Sequence, residues 1–196
     1  MPAFFKALMQ LVPVSQTARC LAFAILTSAR NTTAREATWG EIQQDDDGRW
    51  LHVIPRARMK VKSEKIPFDR KTPLCPEAVQ LLESAPRVGS PDSYIFPNVN
   101  KGRNSPFSRD SVRALIKRMH DKQKRIDGIG WVDPDQFHAK TGKPRIVTLH
   151  GLARATFNTW AKDAKGYSHK PFSRDLRESC LDHRNESYQC AYDREQ

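Results

Sequence analysis

A chain of 196 residues can bury one sizeable core but not two, so a single domain over 1–196 is expected. Its 33 Lys and Arg against 22 Asp and Glu give a formal net charge of +11, which favours a polyanionic partner, nucleic acid first, although an ordinary basic protein carries the same charge. No apolar run of about 18 residues argues for a membrane helix, and Cys20, Cys75, Cys180 and Cys190 lack the close pairing of a zinc site, so a reduced, cytoplasmic protein is expected.

In chain order, residues 4–14 are apolar but broken by Lys6, Gln10 and Pro13, with no cleavage-like end. Ser15 then caps a helix reaching about Ser28. Its residues Cys20, Leu21, Phe23, Ala24, Ile25 and Leu26 are apolar almost all round, the pattern of a buried helix. Arg30 follows at once, either satisfying that helix's last carbonyls or delivered there for function. Asn31, Thr32 and Thr33 open a short helix carrying Arg35 and Trp39. Asp45, Asp46, Asp47 and Gly48 predict a turn between a strand near Ile42 and another over Trp50 to Ile54. The acidic triplet is no metal site on this reading, because consecutive turn residues point in different directions. A second, basic hairpin is predicted from Arg58, Met59 and Lys60 through Ser63 and Glu64 to Ile66, Pro67 and Phe68. Its cations either guard an edge strand or include one that does chemistry.

Pro76 begins an amphipathic helix ending near Ser84, and Tyr94 to Pro97 form a short buried segment. After a basic loop over 101–106, Ser108 caps a helix with Val112, Leu115, Ile116 and Met119 at i, i+3, i+4 and i+7. Its other face, with Arg109, Arg113, Lys117 and Arg118, is either solvated or follows a phosphate backbone. Residues 121–147 are polar and aperiodic and are expected as a long loop, with no role for Asp133, Asp135 or His138. In the next helix Ala153, Thr156, Phe157 and Trp160 form the expected core stripe. His150 and Arg154, four apart, share a neighbouring face near its N-terminal end, where backbone N–H groups favour a phosphate oxygen. A capping histidine and a surface-paired arginine are the alternative. A basic loop over 162–170 and a helix capped by Ser173 and holding Leu176 and Cys180 come next. His183 lies just beyond that helix, and Tyr188 and Tyr192 share one face of a last short helix.

Five stretches together resemble, in order, the boxes of the tyrosine recombinases, and among them the phage and genomic-island integrases. Leu26-Thr27-Ser28-Ala29-Arg30 with Arg35 and Trp39 is similar to the first-arginine box of that family, and Arg58-Met59-Lys60 with Ile66-Pro67 to its lysine hairpin. His150-Gly151-Leu152-Ala153-Arg154-Ala155-Thr156-Phe157 resembles the second box. Leu181-Asp182-His183 and Ala191-Tyr192-Asp193-Arg194 resemble the third. Three departures stand out. Thr33 occupies a position that is usually acidic, and His150 and Arg154 are separated by four rather than three. The hairpin is about one residue short, which favours Lys60 and leaves Lys62 open.

The resemblance implies an α+β, mainly α-helical fold like the tyrosine-recombinase catalytic domain, with a small antiparallel β-sheet near the N-terminal third. It implies that Tyr192 attacks a DNA phosphodiester, leaving a 3′-phosphotyrosyl link and a free 5′-hydroxyl. Arg30 and Arg154 would clamp the phosphate, His150 would assist proton removal from Tyr192 or donate to a phosphate oxygen, His183 would donate to the phosphate, and Lys60 would protonate the leaving oxygen. No cofactor and no metal is implied. Double-stranded DNA is the implied partner, with no membrane. The family's separate N-terminal DNA-binding domain is expected to be absent from this chain, which would be a monomer as a fragment and part of a tetramer on DNA at full length. A type IB topoisomerase-like enzyme and a catalytically silent DNA-binding module of the same fold are the competing expectations.

Overall fold

Helices carry about half of the described residues in the computed structural model, which describes residues 2–59, 68–87, 89–98, 105–163 and 170–181. A short opening helix, α1 (Pro2–Met9), buries Phe4 and Leu8. Ser15 then caps α2 (Gln16–Leu26) as expected, accepting a hydrogen bond from Ala18 N at 3.2 Å. Every residue from Ala18 to Ala24 is buried, Phe23 completely. A helix without a polar face has to be surrounded, and α2 is accordingly the axis round which the other helices pack. Burial there pushes the Cys20 thiol up to about 12, against the opposing pull of Arg35.

The end of α2 decides where Arg30 goes. Thr27 Oγ1 donates to Phe23 O at 2.7 Å, Ser28 N to Ile25 O at 3.3 Å and Ala29 N to Ala24 O at 3.0 Å, while Ser28 takes a left-handed φ of 51°. This is a Schellman cap built on serine instead of glycine. It redirects the chain so that Arg30, extended at φ −69° and ψ 153°, heads the short helix α3 (Asn31–Arg35). Left-handed backbone costs a residue with a Cβ about 1–2 kcal/mol. Ser28→Gly is therefore expected to stabilise the protein by about 1 kcal/mol, raising Tm by about 2–4 °C for a chain of this size. Scanning calorimetry reads this directly, and a lowered Tm would mean that the serine side chain contributes more than its strain costs.

Trp39 lies beyond α3, in a separate 3-10 turn (Trp39–Glu41), and not in the helix where it was expected. The strands β1 (Ile42–Gln44), β2 (Trp50–Ile54) and β3 (Arg70–Pro73) form an antiparallel sheet in that order, with Ile42 opposite His52 and Val53 opposite Lys71. The turn between β1 and β2 is the expected one, with Gly48 at φ 75° and Asp45 Oδ1 accepting from Asp47 N and Arg49 N. The third strand departs from expectation. Arg58 sits in a 3-10 turn (Arg56–Arg58), and the partner of β2 begins at Arg70, past Phe68. An edge strand pairs through its backbone alone, so a charged Arg-Lys-Thr-Pro segment can serve without any apolar alternation. Residues 60–67, most of the predicted basic hairpin, lie outside the described residues.

Helix α4 (Pro76–Glu83) starts on its proline as expected, and Ile95 and Phe96 are fully buried. Helix α5 (Ser111–Asp127) buries Val112, Leu115, Ile116 and Met119, the stripe read from the sequence. Its N-cap position falls on Asp110; Ser108 instead pairs its Oγ with Ser111 Oγ at 2.9 Å. The expected long loop over 121–147 is corrected twice. The helix continues to Asp127, where Gly128 at φ 75° ends it. Beyond it, β4 (Val132–Phe137) and β5 (Pro144–Ile146) pair antiparallel, with Val132 opposite Ile146 and Asp133 opposite Arg145. This hairpin is exposed towards its tip and carries an irregularity between Asp133 and Phe137 that contains Pro134, so no period-2 apolar signal arises. Its base is anchored: Trp131 meets Phe4 edge-on at 5.4 Å, and His120 Nδ1 lies 3.0 Å from Trp131 O.

His150–Ala155 forms a π-helical turn leading into α6 (Thr156–Lys162), and Ser173 caps α7 (Arg174–Cys180) as expected. The core stripe expected here is corrected. Ala153 is buried, but Thr156, Phe157 and Trp160 are half-buried, and Leu152 and Ala161 face the core instead. The wider turn shifts which residues point inward. The class is α+β, mainly helical with a small antiparallel three-stranded sheet. Among the described residues no helix is long and apolar enough to cross a membrane.

Candidate functional site

Arg30, His150 and Arg154 line one cavity of about 1010 Å³. Three local devices bring them there. The Schellman cap places Arg30 at the head of α3. That helix is pinned on one side by Asn31 Nδ2 donating to Arg109 O at 2.9 Å and by Arg35 Nη1 donating to Phe107 O at 2.5 Å.

On its other side α3 leans on a buried polar network. Arg58 Nη2 donates to Thr33 O at 3.2 Å, Arg58 Nη1 pairs with Glu41 Oε1, and His52 Nε2 lies 3.0 Å from Glu41 Oε2. Glu41 and His52 are buried. Thr33 itself carries no charge, and a carboxylate reaches this helix indirectly, from Glu41 through Arg58.

The second device is Arg154 itself, only 5 % exposed. Its Nη1 donates to Ser28 O at 3.1 Å and its Nη2 to Leu181 O. A planar guanidinium with five N–H groups can bridge two carbonyls and still border a cavity. Arg154 therefore ties the cap preceding Arg30 to the end of α7. Arg70 Nη2 holds the neighbouring carbonyl, Cys180 O, at 2.7 Å.

The third device is the π turn. The N–H and the Oγ1 of Thr156 both donate to Gly151 O, five residues back, the hydroxyl at 2.8 Å. A π turn holds one residue more than an α turn. His150 and Arg154, four residues apart, both fall within this turn and both line the cavity. His150 is exposed.

The rest of the wall is basic. Arg113 and Lys117 come from α5, Arg145 from β5 and Lys143 from the position just before that strand, and no Asp or Glu is among the described residues that line it. Sequence reasoning named Arg113 and Lys117, gave His138 no role, and missed Lys143 and Arg145. The signal that could have found them is the alternation of Lys143 with Arg145 directly after Gly142, a turn residue at φ 61°. A smaller cavity of about 240 Å³, with Trp39, Trp50 and Leu74 in its wall, shares no lining residue with the large one. Among the described residues no three His, Cys, Asp or Glu side chains converge as metal ligands. Lys60, His183 and Tyr192, with the alternatives Lys62 and Tyr188, lie outside the described residues. The chain matches no protein-family model and no curated protein.

Proposed function

We propose that this chain is the catalytic domain of a site-specific DNA recombinase or integrase, cleaving and rejoining DNA through a 3′-phosphotyrosyl intermediate. One observation carries the reading: Arg30, His150 and Arg154, far apart in sequence, border a single cation-rich cavity with no acidic side chain among its described lining residues. A phosphodiester under attack gains negative charge on its non-bridging oxygens, and fixed guanidinium donors stabilise that charge more in the transition state than in the substrate. Arginine suits the task because its planar fork matches two phosphate oxygens at once.

In this reading the Tyr192 oxygen attacks phosphorus, a tyrosyl P–O bond forms, and the bond to the 5′-oxygen breaks. His150 assists removal of the phenolic proton, Lys60 supplies a proton to the leaving 5′-oxygen, and His183 hydrogen-bonds a non-bridging oxygen. A phenol titrates near pH 10 in water, so the surrounding cations are what make it a usable nucleophile. A 5′-hydroxyl from a second strand later reverses the step, and one phosphodiester is exchanged for another without a nucleotide cofactor.

The test is covalent capture on a pool of nicked duplexes with a randomised core, followed by denaturing electrophoresis. Wild type is expected to form a protein–DNA adduct and Tyr192→Phe none. Absence of adduct across the pool removes the enzymatic claim and leaves a silent DNA-binding module. An adduct that survives Tyr192→Phe moves the nucleophile to Tyr188, and fast relaxation of supercoiled plasmid would favour a type IB topoisomerase-like activity.

A further inference from the structure

We propose that the β4–β5 hairpin is a DNA-gripping arm which, with α5, holds the sugar–phosphate backbone beside the reacting phosphate without reading base sequence. This rests on the reading of the cavity as a DNA phosphate site. The hairpin contributes little to the core: its base is half-buried at Val132 and Ile146, and its outer part is exposed, including Phe137 at 55 %. A two-stranded ribbon is marginal by itself in water, so its shape has to be explained by its anchoring and its use.

Its basic strand borders the cavity. Arg145 is on β5 and Lys143 immediately precedes that strand, two residues away, about 6.6–6.8 Å along extended chain. Arg113 and Lys117 are four apart on α5, about 6 Å along its axis, and border the same cavity. Two rows of paired cations, each with a step comparable to the through-space distance between successive phosphates of one strand, therefore flank the space reached by Arg30 and Arg154. The acids of the hairpin, Asp133 and Asp135, lie on β4, and neither is among the described residues that line the cavity. Asp133 is in register with Arg145, and its Oδ1 accepts from Asp135 N at 3.0 Å. Contacts of this kind position a duplex and are insensitive to its sequence.

The experiment is fluorescence anisotropy of the whole chain with two labelled duplexes of unrelated sequence across a salt series. Each phosphate contact contributes about 0.9 to the slope of log affinity against log salt. Lys143→Ala/Arg145→Ala is expected to lower the slope by about 2 on both duplexes, and Arg113→Ala/Lys117→Ala by a similar amount. Lys122→Ala/Lys124→Ala, which removes equal charge from exposed positions of α5 outside the cavity, should leave the slope at its wild-type value. If the hairpin pair behaves like that control, or weakens only one duplex sequence, the arm is refuted. The two readings fail separately: a wild type that binds with the expected slope pattern yet forms no covalent adduct keeps the arm and loses the enzyme, and an adduct-forming protein with an unchanged hairpin slope does the reverse.

Discussion

Arg154→Lys is expected to slow covalent adduct formation by about 100- to 1000-fold, the loss seen when one fixed donor to a developing oxyanion is removed. The reason is geometric. Arg154 bridges Ser28 O and Leu181 O through separate nitrogens while bordering the cavity. A lysine ammonium is a single point of charge and cannot span two carbonyls and a phosphate together. The substitution keeps the charge, so DNA affinity and its salt slope should change little. Single-turnover cleavage well below the melting temperature, on a duplex recovered from the capture pool, gives the rate. A near-wild-type rate would reduce Arg154 to a strut between chain segments and remove it from the proposed phosphate clamp.

Glu41→Ala is expected to destabilise the protein by about 3–5 kcal/mol, the cost of leaving the remaining members of a buried ion pair uncompensated. Glu41 is buried against both Arg58 and His52, and its loss orphans the two together. At about 2–4 °C per kcal/mol for a chain of this size, the fall in Tm is large. Alkylation of Cys20 at pH 8 offers a second readout. Burial holds that thiol at about 12, so the native protein carries almost no Cys20 thiolate and labelling reports opening of the core. The same variant should lose adduct formation below its Tm, because Arg58 also holds Thr33 O, one turn past Arg30. A stability change under about 1 kcal/mol would mean that water already solvates this network.

What could be read in advance follows from which elements bury one face. The Ser15 cap, the apolar α2 and the Val112–Met119 stripe are strong signals because burial selects their periods, and each is where it was expected. Strand β3 is not legible because an edge strand needs no apolar alternation, and the β4–β5 hairpin reads as loop because its strands are largely polar and Pro134 interrupts it. Helix α1 sends only Phe4 and Leu8 inward, too few for a period. Arg30, His150 and Arg154 could be selected from the sequence, and they do share a cavity, but their support could not. Glu41, His52 and Arg58 converge only through tertiary packing, and Arg154's carbonyl partners belong to segments distant in the chain. A π turn is equally hidden, since an i, i+4 pair suits it and an α-helix alike.

The Thr156 hydroxyl acts as a pawl on the helical ratchet. By seizing Gly151 O alongside its own backbone N–H, it marks the tooth at which the wide turn gives way to ordinary winding. A slip of one residue there would swing everything downstream by about 100° about the helix axis. Alignment between the His150–Arg154 pair and α6 is thus set by a side chain that lies outside the cavity lining.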